Sequence, residues 1–250
     1  MDFLILLLII LIGIFTGIVA VTVGSSGLIV IPFLMNLGLN PYFAIATGKF
    51  SILSSFVSGG IKYNKEGVIK QKKLAFTLSL ITIAGAIIGA NLVLKISENI
   101  LKVTIIIILL IVLLSMITKN NFWLKHKKIL KKQKKSIKFI IMFLLGIYIG
   151  SIGVGFGSLV IFYLIYFFGF TYLESAALMT IVNFFGLIIA VIIFIANKVI
   201  DYSIGIPLLI SIAIGGWIGA HFAVLKGSIW IRRLFILVTS ILIIKLIFNL

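Results

Sequence analysis

The residue best suited to chemistry in this sequence is a lysine inside an apolar segment. Lys49 lies well within residues 42–61, and that segment contains no acidic residue to pair with it. A charge near the bilayer centre costs about 2.5–3.5 kcal/mol on insertion scales, so such residues usually mark a substrate pathway. Thr47 and Ser51 flank the lysine and form a small polar cluster with it. The cluster predicts a positive counter-charge for a transported anion; the alternative is a lysine close to a membrane interface.

Two glycine-rich breaks interrupt apolar segments and can expose backbone N–H groups to a ligand. The first break is residues 24–27, and the second is residues 153–158. Irregular backbone is tolerated at membrane depth only where protein or a water-filled cavity satisfies it. A helix that begins after such a break points its positive end at the cavity, which suits an anion. The alternative is that the glycines only permit close helix packing.

Two neutral polar residues occupy the matching region of the second half of the chain. Thr180 and Asn183 lie in the apolar segment of residues 172–196. The side-chain amide of Asn183 can hydrogen-bond an oxyanion or Lys49 itself. The predicted substrate-binding residues are Gly24, Ser25, Ser26, Gly27, Thr47, Lys49, Ser51, Gly155, Gly157, Ser158, Thr180 and Asn183.

Other kinds of chemistry have little support in the sequence. The chain has no Cys and two His, and it lacks both an H-E-x-x-H pattern and a phosphate-binding loop. Glu174 is the one acid inside a predicted membrane segment, and with Thr171 it forms the pattern of a helix-capping box. We therefore expect no catalytic residue, no metal site, no cofactor and no enzyme activity.

The composition points to helices that span a membrane. Apolar residues make up 62% of the chain and charged residues 11%, which excludes a soluble domain of this size. Segments of about 20 apolar residues are long enough to cross roughly 30 Å of hydrocarbon. Eight long segments are predicted, at residues 3–23, 42–61, 74–94, 100–118, 139–155, 172–196, 204–225 and 234–250. Two shorter ones are predicted at residues 28–37 and 158–168.

The chain contains an internal repeat. Gly85-x-x-x-Gly89-Ala90 recurs as Gly215-x-x-x-Gly219-Ala220, about 130 positions later, and the breaks recur with a similar offset. A duplicated unit with interrupted helices is typical of secondary transporters. The predicted fold is an all-α polytopic membrane protein with a first repeat at 1–118, a basic linker at 119–138 and a second repeat at 139–250. Asn91 and His221, which follow the two motifs, are predicted to form interhelical hydrogen bonds.

The short segments decide how the repeats are oriented. If each is re-entrant, every repeat has four crossings, the total is about eight, and both repeats point the same way. If each short segment crosses, every repeat has five crossings and the second repeat is inverted. The basic residues at 226–233 weakly favour inversion. We expect the eight-crossing arrangement.

Positive charge is concentrated between the repeats. The net charge is +17, and nine of the 22 basic residues lie within residues 119–138. Such a run is typical of a cytoplasmic loop that touches anionic lipid headgroups, and no fold is available there to present a nucleic-acid surface. The lysine-rich loop at residues 62–73 is expected on the same side. The pattern predicts a multi-pass protein of the cell (inner) membrane and leaves open whether it forms homo-oligomers.

With these motifs the chain resembles the TauE/SafE-type sulfite exporter family, and more closely its YfcA-like branch. The features that carry the resemblance are the glycine-rich break before Pro32, Ala46-Thr47-Gly48-Lys49, Thr180-x-x-Asn183-Phe184 and the paired Gly-x-x-x-Gly-Ala motifs. The resemblance covers nearly the whole chain outside the linker. It implies a permease with two related halves for sulfite, sulfonates or similar small organosulfur anions.

Two departures fall within the predicted site. The family's break usually resembles Gly-x-Gly-Gly-Gly, whereas this chain has Gly24-Ser25-Ser26-Gly27, and Gly48 stands where the branch commonly has Asn. The identity of the substrate therefore does not carry over. The leading hypothesis is a secondary transporter that exports a small anion. The alternative is a non-transporting accessory or assembly subunit that acts through its basic loop.

Overall fold

Nine α-helices make up the part of the chain that the computed structural model describes, residues 3–118 and 135–226. They are α1 (Phe3–Thr22), α2 (Gly27–Asn36), α3 (Pro41–Lys65), α4 (Lys72–Val93), α5 (Glu98–Thr118), α6 (Lys135–Gly150), α7 (Phe156–Phe168), α8 (Tyr172–Ala196) and α9 (Tyr202–Lys226). Five of the described helices, namely α1, α3, α4, α8 and α9, are long and apolar enough to cross a membrane. This is the architecture of a helical, multi-pass membrane protein. The predicted last segment and most of the basic linker lie outside the described residues.

Two of the long helices begin where their capping residues predict. The Asn40 side chain accepts a hydrogen bond from the Phe43 N–H at 3.0 Å, and Pro41 takes the first helical position of α3. At the start of α8, Thr171 and Glu174 form both hydrogen bonds of a capping box. The capping interpretation of Glu174 is therefore confirmed.

The second break folds the chain into a helical hairpin. Lys138, near the start of α6, donates from Nζ to the Phe167 carbonyl at 2.8 Å, and the Tyr163 hydroxyl donates to the Lys138 carbonyl at 3.0 Å. The end of α7 thus lies beside the start of α6. The prediction of one apolar segment at residues 139–155 needs a correction, because α6 ends at Gly150 and the chain then turns back.

The repeated Gly-x-x-x-Gly motifs bring helices of the two halves together. A methyl group on Gly89 of α4 would lie 2.0 Å from the Ile147 carbonyl oxygen of α6, and one on Gly215 of α9 would lie 2.0 Å from the Ile14 oxygen of α1. Only glycine permits this backbone approach. Asn91 does not bond another helix as expected, because its amide donates to the Ile87 carbonyl of its own helix.

The contacts also fix the relative directions of the helices. Gly13 faces Ser211 and Gly219 faces Ile18, so α1 and α9 run in the same direction. By the same reasoning α6 runs with α4, because Gly146 faces Thr82 and Gly150 faces Ala86. The pair α3 and α9 is also parallel, since Ser51 bonds the Gly205 carbonyl and Ser54 bonds the Leu209 carbonyl.

Because α1 and α3 both run in the direction of α9, α2 returns the chain between them, and α1 and α2 form the first hairpin. These directions place the two hairpins on opposite faces of the bundle. Helix α1 enters from the face where α3 and α9 begin, whereas α6 enters from the face where α4 begins. The loop between α3 and α4 is short, so α3 ends on the face where α4 begins. Helices α3 and α4 therefore begin on opposite faces. This overturns the expectation that both repeats point the same way. The expectation counted the first helix of each hairpin as a crossing but did not count the short helix that returns to the same face. With that return included, the number of crossings in each repeat is odd, and the second repeat is inverted relative to the first.

Candidate functional site

The two breaks cross each other in the interior of the protein. The Ser158 N–H donates to the Gly24 carbonyl at 3.2 Å, and the Ser158 hydroxyl donates to the Val23 carbonyl at 2.7 Å. The hydroxyls of Ser25 and Ser158 are also hydrogen-bonded to each other. We call this contact of residues 23–27 with residues 153–158 the crossing. Its hydrogen bonds satisfy backbone groups that would otherwise be exposed at membrane depth.

Glycine is required at the centre of the crossing. Gly24 has a φ of 76°, in the left-handed region, and a methyl group there would lie 2.4 Å from the Gly157 carbonyl carbon. A side chain at this position would therefore be strained and would overlap the other break. Each break can turn at this depth because the other one packs directly against it.

A small cavity lies beside the crossing, which we call the central cavity. Its volume is about 30 Å³. By the same measure one water molecule needs roughly 10–15 Å³. Its wall includes the first residues of α2 and α7, so the positive ends of both short helices face it. Six of the twelve predicted site residues line it: Gly24, Ser26, Gly27, Lys49, Gly157 and Asn183.

Lys49 is held by the end of α6. Its ammonium donates to the Gly150 carbonyl at 2.7 Å and to the Ser151 carbonyl, and it lies 5.2 Å from the centroid of the Phe194 ring. The carbonyls at a helix C-terminus carry partial negative charge and stabilise a cation. The residue is only 4% exposed, so the charge lies in the protein interior and not at the end of its helix.

Asn183 brings an incompletely bonded amide to the same cavity. The residue is 3% exposed, its Nδ2 donates to the Met179 sulfur at 3.0 Å, and its Oδ1 has no hydrogen-bond partner among the described residues. Thioether sulfur is a weak acceptor, and a half-turn of the amide exchanges its two ends. A rotated amide would present N–H donors to an anion beside Lys49.

Three predicted residues belong to the crossing and not to the cavity wall. Ser25 and Ser158 bond each other, and Gly155, with a φ of 73°, caps the start of α7. They shape the site through the backbone.

Three more predicted residues point elsewhere. Thr47 Oγ1 accepts from the Asp201 N–H at 2.9 Å, and Ser51 donates to the Gly205 carbonyl at 2.9 Å. Thr180 bonds within its own helix, to the Ala177 carbonyl. Positions two apart on a helix differ by roughly 200° around its axis. Thr47 and Ser51 therefore share a face toward α9, opposite to Lys49, and the three do not form the single cluster expected.

The sequence did not indicate the apolar wall of the cavity. Seven apolar side chains line it: Ile31, Ile52, Phe56, Ile149, Ile152, Phe156 and Leu187. In a chain this apolar, nothing separates such residues from those that face lipid or pack between helices. Among the described residues no group of three or more His, Asp and Glu is placed to hold a metal ion.

Comparison with known proteins gives a consistent result. The family described as "Sulfite exporter TauE/SafE" matches residues 9–246. The chain is similar to "Probable membrane transporter protein ORF9" of Sinorhizobium sp, at 24% identity over 227 residues, 89% of this chain and 85% of that protein. It is also similar to "Probable membrane transporter protein YfcA" of Escherichia coli (strain K12), at 23% identity over 232 residues, 90% of this chain and 83% of that protein. No solved structure matches the chain.

The family match extends through both breaks, the central cavity and nearly all of the described helices, so the resemblance carried by the sequence motifs is confirmed. The chain belongs to the TauE/SafE sulfite exporter family of membrane transporters.

Proposed function

We propose that this protein is a secondary transporter that carries a small anion through the central cavity. The observation that carries the proposal is the buried ammonium of Lys49 beside the crossing of two broken helices. Helix starts that point inward, a side-chain amide that can turn its N–H donors to the cavity and one interior cation are suited to binding an anion.

The proposed substrates are sulfite, a sulfonate or a related organosulfur anion. The family's description names sulfite, and the sulfonates extend it to anions of related shape, while the relatives named above are described only as probable membrane transporters. The cavity chemistry suits an oxyanion, because Ser26 and the starts of the short helices offer hydroxyl and N–H donors in the same wall as Lys49.

The proposed direction is export. Moving one elementary charge through 100 mV is worth about 2.3 kcal/mol, equivalent to a gradient of roughly 50-fold. A membrane that is negative inside therefore drives an anion outward without a coupled ion. The residues that line the central cavity include no acid of the kind that proton-coupled uptake uses.

We further propose two repeats, 1–118 and 139–250, that are inverted relative to each other in the cell (inner) membrane. The packing of α1 on α9 and of α6 on α4 supports this arrangement, because each hairpin of one half docks on the fourth helix of the other. The basic linker at 119–138 would then contact anionic lipid headgroups in the cytoplasm.

Anion flux in proteoliposomes tests the proposed function. We expect saturable, potential-driven flux of sulfite or a small sulfonate through the purified chain, with acetate and sulfate in parallel. Lys49→Met should abolish the flux, because the cavity then lacks its cation. Lys72→Met, which removes an exposed lysine at the start of α4, is the matched control and should keep it. Absence of flux for every anion with folded protein would favour the accessory function through the basic loop.

A further inference from the structure

We propose that the central cavity selects singly charged anions and rejects doubly charged anions of the same shape. The inference deepens the proposed function and rests on it. It follows from the charges, the helix ends and the apolar wall that surround the cavity.

One cationic side chain faces the cavity. Among the described residues, Lys49 is the only charged side chain in its wall. The ammonium is already partly compensated by the Gly150 and Ser151 carbonyls. One anionic charge can therefore be neutralised here, and a second would remain uncompensated.

The helix ends do not add a second positive charge. Each end of a helix is equivalent to roughly half an elementary charge, positive at the N-terminus and negative at the C-terminus. At the first break α1 ends where α2 begins, and at the second α6 ends where α7 begins. Each break thus joins one negative end to one positive end, so their charges offset each other. The N–H groups orient an anion, but the net charge stays that of Lys49.

The rest of the wall makes an uncompensated charge costly. Its large side chains are apolar, and two of them, Phe56 and Phe156, are 4% and 2% exposed. A dianion would lose its hydration shell against this surface and regain only one counter-charge. Hydrogensulfite, the singly charged form that coexists with sulfite near neutral pH, should therefore be carried in preference to sulfite itself, and sulfonates with a single charge in preference to those that also carry a carboxylate.

Methanesulfonate and sulfate test the proposal directly. Both are small tetrahedral anions of similar size, but methanesulfonate carries one charge and sulfate carries two over the whole working pH range. In proteoliposomes that show sulfite flux, unlabelled methanesulfonate and sulfate are compared as competitors at equal concentration and fixed membrane potential. We expect methanesulfonate to compete at least about tenfold better than sulfate.

Two variants show whether Lys49 is the source of the selection. Lys49→Arg keeps one positive charge and should keep the preference, whereas Lys49→Met, which should abolish the flux, should lose the protection against heat by both anions. Protection of the full chain against heat by each anion gives a second readout that does not depend on flux.

The outcomes are distinguishable. Equal or stronger competition by sulfate, or no competition by methanesulfonate, overturns the charge selection while leaving anion transport intact. Absence of flux for sulfite and every other anion overturns the proposed function and this inference with it.

Discussion

Lys49 and Asn183 line the same small cavity but come from helices in different halves of the chain. The lysine ammonium donates to carbonyls at the end of α6. The Asn183 amide oxygen has no partner among the described residues, and its nitrogen donates only to a weak acceptor, the Met179 sulfur. A buried polar group without a partner destabilises a protein by about 1–3 kcal/mol. Such a group persists where a ligand uses it, so the two residues are expected to differ in their effects on stability.

Replacing Asn183 with leucine should separate function from stability. Asn183→Leu removes the unbonded amide and keeps the volume, so the melting temperature should stay unchanged or rise by the equivalent of about 1 kcal/mol. Loss of a hydrogen bond to the anion should raise the substrate KM about tenfold or more, since such bonds contribute roughly 1.5–3 kcal/mol. Thermal unfolding and flux kinetics measure both effects.

The control for this variant is Ser79→Ala on α4. The Ser79 hydroxyl is buried and bonds the Ala75 carbonyl of its own helix, away from the cavity. It should change neither KM nor flux. If Asn183→Leu instead lowers stability and leaves KM unchanged, the amide is a packing group and not a substrate ligand.

At the level of helices, the breaks are the elements that position the site. Gly24 and Gly67 both adopt a positive φ, of 76° and 70°, but only Gly24 packs against another backbone. A comparison of alanine variants at the two positions therefore separates the cost of a left-handed backbone from the cost of disrupting the crossing.

Gly24→Ala should damage the protein far more than Gly67→Ala. Both variants carry the left-handed strain of about 1–2 kcal/mol. Gly24→Ala adds overlap with Gly157, which costs about 1–3 kcal/mol more and pushes the breaks apart. We expect loss of flux and a lower melting temperature for Gly24→Ala, and a modest thermal shift with normal flux for Gly67→Ala. Equal effects of the two variants would show that the crossing does not matter.

The sequence predicted the helix starts and the breaks because local chemistry determines them. Few other positions for the helix starts and the breaks are compatible with Asn40, Thr171 and the paired glycine runs. Of the residues predicted to bind substrate, Lys49 and Asn183 line the central cavity, whereas Thr47 and Ser51, which were grouped with the lysine, lie on another face of α3 by helical periodicity. Substrate binding by these residues stays a prediction. The apolar wall and the packing of α1 on α9 could not be predicted, because they depend on contacts between distant segments that are equally apolar.

At the scale of the whole molecule, opposed hairpins explain the distribution of charge. The lysine-rich loop between α3 and α4, the start of α6 and the end of α9 lie on one face. The sequence that follows α9, outside the described residues, carries Arg232 and Arg233. In the eight-crossing arrangement these arginines would face outward, against the positive-inside tendency. In the inverted arrangement they follow a helix that ends on the basic face, in agreement with that tendency.

Labelling of single cysteines decides between the two arrangements, because the chain has no Cys of its own. Ser97→Cys and Asn197→Cys place thiols in exposed loops that the helix directions put on one face, and Lys70→Cys places one on the opposite face. We expect an impermeant maleimide to label the first two from outside intact cells and Lys70→Cys only after lysis. The parallel arrangement instead places residues 97 and 197 on opposite sides. Labelling of Ser97→Cys alone in intact cells would therefore contradict the inverted repeats.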